Sequence, residues 1–445
     1  MELRDLIVTP IVILVVLIAA YIIRPMVTDA ATRRYFMPAL LVRIVGAMAV
    51  GFVYQFYYVG GDTFAFHTHG SRIVWEAIME EPLTGIRLLF SDGTHVSDYF
   101  SYSSRIWYFR DQQSFFVIRI ATILDLFTFS TYTATAVLFA VFGFSGAWLM
   151  FITFYKRYPG FHVWIAVACL FIPTVVFWGS GIFKDTLTLA ALGWATFACY
   201  GLFFQKRNLF INALITLISF WVIFSMKKYI LLSFLPAILL WVFTASFSRI
   251  RTLVAKILVV PVVMAIVIVL GYFTIVFLAE DDPRYNVSRL AETAKITAYD
   301  IRYGWGARTG EGSGYNLGEL DGTWQSMIRL APAAINVSLF RPYFWEVENP
   351  LMVLSAFESL FCMLLTIFVI YRSRHRLFRC LGSPDVLFCL CFALIFAFAV
   401  GVSTYNFGTL SRYRIPLMPF YGMAIGLILY YSNRDRKLAS FEATE

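Results

Sequence analysis

An acidic residue stands where a long apolar segment ends, in a position that could support acid–base chemistry. Asp62 follows Gly60 and Gly61, two residues that permit a tight exit from a helix. A structural role for Asp62 would be to cap the next helix, since aspartate is a preferred N-cap residue. A chemical role would be that of a general base, which takes the proton of an acceptor hydroxyl. The sequence favours the second role and leaves the first open.

Six basic residues lie near apolar segment ends on the same predicted face as Asp62, against the usual charge bias of membrane proteins. Such cations suit a lipid-borne phosphate or diphosphate, which lysine binds as a point charge and arginine as a planar fork. The alternative for each is snorkelling to headgroups, or pairing with Asp185 or Glu346. Because adjacent helical residues diverge, Asp185 is expected to orient a cation other than Lys184. The predicted phosphate-binding residues are Lys184, Lys227, Lys228, Arg341, Arg412 and Arg414.

Five residues are candidates for contacts to a sugar or an acceptor: His67, His69, Asp185, Trp305 and Trp324. The two histidines are two apart, which is poor spacing for two ligands on one helix face, so no metal and no other cofactor is predicted. The tryptophans either stack on pyranose faces or anchor the chain at the membrane interface. The sequence contains no P-loop, no dinucleotide-binding glycine motif and no G-x-S-x-G nucleophile motif.

The elements that position these residues are predicted to be transmembrane helices. The chain has 445 residues, of which 60% are hydrophobic and 14% charged, against roughly 25% charged in a soluble domain. Its net charge of +9 does not indicate nucleic acid, because the basic residues lie between apolar segments. A spanning helix needs roughly 20 apolar residues. Eleven spans are predicted, near 6–24, 37–58, 132–154, 162–179, 186–204, 209–226, 229–247, 253–279, 350–371, 385–402 and 416–432.

The short loops predict the orientation. One alternate set is strongly basic and is assigned to the cytoplasm, which places the N-terminus outside and the C-terminus inside. The long loops 59–131 and 280–349 then fall on the outer face. The first is expected to contain interfacial helices, with 114–130 lying at the interface or re-entering, and the second to form an irregular lid. The predicted fold is all-α, a polytopic transmembrane bundle forming a single integral membrane domain, 1–445.

Three segments resemble the GT-C superfamily of membrane glycosyltransferases, especially bacterial enzymes that use polyprenyl-phosphate-linked sugars. Residues 60–63 followed by Phe66 are similar to the acidic motif of the first large outer loop in that family. Residues 412–419 are similar to its R-Y-x-x-P-x-x-P stretch, and the turn 180–185 with 228–230 is similar to a pair found in relatives from surface-polysaccharide loci. The sequence departs from the family in an extra helix before the acidic loop. It also lacks the usual paired acid, which does not favour a metal-dependent variant.

The resemblance implies an inverting glycosyltransferase at the outer, periplasmic face of a bacterial inner membrane. Its donor would be a polyprenyl-phosphate or polyprenyl-diphosphate sugar, and its acceptor a glycan or a lipid-linked molecule, in cell-surface polysaccharide or glycoconjugate assembly. Asp62 would be the catalytic base, and Lys184, Lys228, Arg412 and Arg414 would hold the lipid phosphate.

Two other functions stay open at the level of sequence. An O-antigen-type polysaccharide polymerase would use the same lipid carriers but transfer a whole glycan. A lipid-linked glycan transporter or flippase would need a polar path through the membrane midplane. The ionisable residues cluster near the ends of the predicted spans, with Glu358 as the main exception. That distribution favours the transferase.

Overall fold

The computed structural model describes residues 3–247, 290–305 and 313–442. In these ranges the regular secondary structure is helical, apart from one isolated bridge between Gly314 and Asn406. Eight helices in the described ranges are long and apolar enough to cross a membrane, and a bent pair of helices would make a ninth span. The prediction of an all-α membrane protein is therefore confirmed, whereas the number of eleven spans stays a prediction.

The chain divides into two compact units, an N-terminal unit (Met1–Lys227) and a C-terminal unit (Lys228–Glu445). The helices of the N-terminal unit are α1 (Leu3–Val27), α2 (Arg33–Phe52), α3 (Asp62–Phe66), α4 (Arg72–Glu80), α5 (Pro82–Leu89), α6 (Phe100–Ser103), α7 (Gln112–Thr128), α8 (Tyr132–Arg157), α9 (His162–Leu170), α10 (Pro173–Trp178), α11 (Lys184–Tyr200) and α12 (Leu209–Met226).

The core of the N-terminal unit forms where α8 packs between α2 and α11. Small residues allow this approach: a Cβ on Gly193 would lie 2.1 Å from the carbonyl oxygen of Gly146. Close backbone contact through glycine is typical of helix packing in membranes, where lipid is as apolar as the side chains. The helices that position the candidate site are thus held together tightly.

The predicted continuous span at 162–179 is wrong as one helix, because the structure has two short helices there, α9 and α10. The break falls at Phe171 and Ile172, directly before Pro173. Proline disfavours helical backbone at the preceding residue, and Ile172 is extended, with ψ of 123°. The fully buried Arg43 of α2 donates to the carbonyl oxygens of Val175 and Gly179, at 3.1 and 2.6 Å. This arginine thereby satisfies carbonyl groups at the end of α10.

The predicted loop 59–131 contains five helices, α3 to α7. The longest, α7, matches the apolar stretch 114–130, but it packs against its own unit and buries residues such as Phe115 and Asp125. Its half-buried Arg119 donates to the carbonyl oxygens of Leu89 and Ser91, at 3.0 and 2.6 Å. The first loop is thus a packed part of the N-terminal unit.

The C-terminal unit is built around one helix, α19 (Pro384–Thr404). It packs against α13 (Lys228–Phe247), α16 (Ala331–Phe340) and α21 (Leu417–Glu442). The predicted span 253–279 and much of the predicted lid lie outside the described residues. Within the described part of that lid, Tyr315 is buried, and its hydroxyl lies 2.6 Å from that of Thr404. The helices are α13 (Lys228–Phe247), α14 (Leu290–Tyr299), α15 (Trp324–Arg329), α16 (Ala331–Phe340), α17 (Pro350–Ser373), α18 (Leu377–Cys380), α19 (Pro384–Thr404), α20 (Phe407–Tyr413) and α21 (Leu417–Glu442).

Candidate functional site

The candidate residues of the N-terminal unit lie at one end of its helix bundle, hereafter the Asp62 end. This end is formed by the turn after α2, the starts of α8 and α11, and the residue after α12. At the opposite end, Arg34 lies 3.1 Å from the ring of His162, and Arg157 lies over the ring of Tyr200. Basic residues therefore occur at both ends of this unit, and their assignment to a cytoplasmic and an outer face stays a prediction.

Asp62 is the first residue of α3, and its N-cap position is held by Gly61. The capping role considered for Asp62 is therefore wrong. Its half-buried carboxylate instead accepts a hydrogen bond from the hydroxyl of Tyr108, at 3.1 Å. The carboxylate is thus oriented by a neighbour and retains exposed surface, as a general base requires.

Backbone geometry in the preceding turn fixes the place of Asp62. Gly60 and Gly61 have φ values of +138° and +115°, a region that residues with a side chain rarely adopt. A Cβ on Gly61 would also lie 2.7 Å from the ring of Tyr54. The two glycines predicted to allow a tight helix exit are therefore needed for two reasons, backbone conformation and space.

Two lysines at the Asp62 end are paired with carboxylates. The Lys184 ammonium lies 3.3 Å from Asp111, and its side chain is 18% exposed. Lys227 forms a buried ion pair with Asp185. Asp185 therefore orients a cation other than its neighbour Lys184, as expected. The sugar or acceptor contact predicted for Asp185 is wrong, because its side chain is fully buried.

Asp111 is the N-cap residue of α7, where it accepts hydrogen bonds from the backbone of Gln113 and the hydroxyl of Ser114. Burial acts to raise the pKa of Asp111, but the charge of Lys184 and these hydrogen bonds outweigh it, so the pKa lies below the ordinary value of 3.8. The carboxylate is therefore ionised at neutral pH, and the pair with Lys184 is an ion pair.

A short segment of the first loop holds the site together, and sequence reasoning missed it. Trp107 stacks on His69, with ring centroids 4.1 Å apart and planes 3° apart. The next residue, Tyr108, bonds Asp62, and Asp111 pairs with Lys184. The available signal was the density of aromatic and polar residues between two loop helices, but sequence spacing does not show which residues they contact.

The two histidines occupy different environments. His67 is fully buried, with its Nε2 atom 3.5 Å from Asp125, so the substrate contact predicted for it is wrong. Asp125 also accepts a hydrogen bond from the hydroxyl of Thr135, at 2.6 Å. His69 is half-buried, and burial lowers its pKa below the ordinary 6.5. His69 is therefore neutral at pH 7 and remains a candidate for contact with a substrate.

Two predicted phosphate ligands of the C-terminal unit, Arg341 and Arg414, contact acids and carbonyl oxygens of the same unit. Arg414 is fully buried and donates to the carbonyl oxygen of Arg341, at 2.9 Å, and toward Glu358, at 3.4 Å. Arg341 donates through Nε to Glu346, at 3.0 Å, and pairs with the same carboxylate through a second nitrogen. The phosphate-binding role predicted for Arg414 is therefore corrected to a structural one, because a buried acid and carbonyl oxygens occupy its guanidinium group. The role predicted for Arg341, whose side chain is 16% exposed, stays a prediction.

The other predicted residues of the C-terminal unit keep their roles as predictions. Lys228 begins α13 and is buried, and Arg412 lies half-buried in α20. Trp324 begins α15 with 41% of its surface exposed. Trp305 ends a π-helical turn, and its side chain lies outside the described residues.

The arrangement defines the class of the protein: an all-α polytopic membrane protein with a charged, half-buried cluster at one end of its N-terminal unit. Among the described residues, no group of three or more His, Cys, Asp or Glu side chains could hold a metal ion. No family model, curated protein or solved structure matches the chain. The contacts of the cluster itself must therefore support a functional proposal.

Proposed function

We propose that the protein is an inverting glycosyltransferase that uses a polyprenyl-phosphate or polyprenyl-diphosphate sugar. The observation that supports this function best is that one short segment holds both groups: Tyr108 bonds the half-buried carboxylate of Asp62, and Asp111 pairs with the ammonium group of Lys184. A base that activates an acceptor and a cation that stabilises a departing phosphate are the two groups that such a transfer requires.

The proposed reaction is a single displacement at C1 of the donor sugar. The acceptor hydroxyl gives its proton to Asp62 while its oxygen forms a bond to C1. The bond between C1 and the phosphate oxygen breaks, and the lipid phosphate leaves with the electron pair. Attack from the face opposite the leaving group inverts the configuration at C1. The hydrogen bond from Tyr108 keeps Asp62 oriented during this step.

Lys184 is the cation best placed to contact the phosphate. An ammonium group has three donors, so it can hold Asp111 and a phosphate oxygen together. Lys227 is more deeply buried and paired with Asp185, so its proposed contribution is its electric field. The short basic loops at the opposite end support an outer, periplasmic location for the site in a bacterial inner membrane.

The test is transfer by the purified chain in liposomes that contain polyprenyl-phosphate glucose, galactose or mannose. Release of polyprenyl phosphate and formation of a glycoside are measured together. We expect Asp62→Asn to lower the rate by about 10²–10⁴-fold, the usual contribution of a general base. Asp98→Asn is the matched control, because Asp98 is an exposed carboxylate of the same loop and pairs with Arg87. It should retain the wild-type rate.

Three outcomes would contradict the proposal. Full activity of Asp62→Asn would refute the base assignment. Products that grow by whole glycan repeats would indicate a polymerase. Movement of the lipid-linked sugar across the liposome membrane without a new glycosidic bond would indicate a transporter.

A further inference from the structure

The N-terminal unit contains a cavity of about 290 Å³ at the Asp62 end. This volume is close to the lower limit of roughly 300 Å³ for small-molecule sites. Helices α1, α2, α4 and α8 all contribute to its wall. Its polar lining includes Asp5, Gln55, Thr68, His69, Arg72 and Tyr132.

A π-helical turn and a turn kinked at His69 place polar side chains on this cavity. The turn Val53–Tyr57 provides Gln55, and the turn His67–Ser71 provides Thr68 and His69. A π-turn inserts a residue into a helix and shifts its side chains out of register, and such turns are frequent at functional sites. The π-turn and the non-helical backbone of His69, with φ of −102° and ψ of 19°, meet at one cavity and are a second observation, independent of its volume, that indicates a binding site.

The cavity also adjoins the proposed base. Gly60 and Phe64 both line it, and Asp62 lies between them in the chain. Its wall residue His69 stacks on Trp107, whose neighbour Tyr108 bonds Asp62. A ligand that fills the cavity would therefore contact the segment that carries Asp62, although the Asp62 side chain itself does not line the cavity.

The lining groups indicate the chemistry of the ligand. One carboxylate, Asp5, and one guanidinium, Arg72, accompany neutral amide, hydroxyl and imidazole groups. Asp5 accepts a hydrogen bond from the backbone of Thr133, and Arg72 donates to the carbonyl of Ser130, so both are held in place. Closely spaced donors and acceptors without excess charge suit an uncharged polyol better than a phosphate.

We infer that this cavity binds an uncharged sugar unit of the acceptor, next to the chain segment that carries Asp62. The role as an acceptor site rests on the proposed function, whereas binding of a neutral sugar does not. The phosphate of the donor is bound separately, by Lys184.

The two kinds of binding can be measured without transfer activity. Saturation-transfer NMR of the purified full-length chain would use maltotriose, cellotriose and chitotriose as neutral probes and farnesyl phosphate as the anionic lipid probe. Thr68→Phe, which fills the cavity, should weaken sugar binding at least tenfold and leave farnesyl phosphate binding unchanged. Lys184→Gln should weaken farnesyl phosphate binding at least tenfold and leave sugar binding unchanged. Gln55→Leu, at a half-buried position, should weaken sugar binding several-fold and decides the test if Thr68→Phe does not fold.

The inference is overturned if none of the three sugars binds the wild-type chain, or if the variant that decides the test binds them as the wild type does. Loss of farnesyl phosphate binding in that variant would also overturn it, because the cavity would then hold the phosphate. If the sugars bind as expected but no donor is turned over in liposomes, the proposed transferase function fails while the sugar site stands.

Discussion

The buried ion pair between Lys227 and Asp185 allows a quantitative test of the N-terminal unit. The two side chains are 7% and 0% exposed. Lys227→Met removes the positive charge and leaves the Asp185 carboxylate buried. Breaking a buried pair in this way costs about 3–5 kcal/mol, and even the lower figure is roughly a hundredfold change in the folding equilibrium. Replacing both residues with apolar ones, Lys227→Met with Asp185→Leu, should restore most of this loss, because no charge is then left buried.

The free energy of unfolding would be measured in mixed detergent micelles by denaturant titration. The matched comparison is the exposed pair of Arg87 and Asp98, whose side chains are 68% and 56% exposed and 3.3 Å apart. Arg87→Met should cost less than about 1 kcal/mol, because solvent screens an exposed pair. Equal losses for Lys227→Met and Arg87→Met would refute the assignment of a buried pair. A double variant as unstable as the single one would refute the explanation by an uncompensated charge.

Three further predictions concern the Asp62 end. Gly61→Ala should lower transfer activity at least tenfold, because residue 61 has a positive φ and the new Cβ would lie 2.7 Å from the ring of Tyr54. Gly160→Ala is the control and should retain activity, because its new Cβ would meet nothing within 4 Å. The folded pKa of Asp111 lies below 3.8, so its stabilising contribution is complete above that pH and is lost as pH falls through the folded pKa. The Asp111→Asn variant should therefore be less stable than the wild type at neutral pH and should lose less stability when the pH falls. Thermal unfolding at pH 3 to 7 would show this, and parallel stability profiles of the variant and the wild type would contradict it. The Asp62→Asn variant should bind farnesyl phosphate several-fold more tightly than the wild type, because a negative charge is removed. Weaker binding in a direct titration would show that the charge of Asp62 does not oppose phosphate binding.

The long helices could be predicted from the sequence because a span is set by a local property, the length of an apolar segment. The segment predicted at 132–154 is α8, Tyr132–Arg157. The break before Pro173 was missed because hydropathy does not register backbone geometry, although the proline itself was a signal. Arg43 was missed as well, although an arginine inside an apolar segment indicates a buried partner.

The candidate site could be predicted only where one segment determines it. Gly60 and Gly61 located Asp62 at the end of a helix, because their conformational freedom acts on the next residue. The partners Tyr108 and Asp111 could not be predicted, because they lie more than forty residues away and contact the site through the packing of the first loop. Burial decided the outcome for Arg414 too: its motif predicted a phosphate ligand, but its side chain lies in the interior.

The charges at the Asp62 end explain how a base and phosphate ligands can work together there. At this end of the unit, the carboxylates of Asp111 and Asp185 pair with the ammonium groups of Lys184 and Lys227, and the carboxylate of Asp62 adds a third formal negative charge. This cluster is negative by one charge and does not favour tight binding of the donor in its ground state. In the proposed reaction, Asp62 would take the proton of the acceptor, and that excess would disappear in the same step in which the leaving phosphate gains charge. The interaction is then stronger in the transition state than in the ground state, which is the condition for accelerating the reaction.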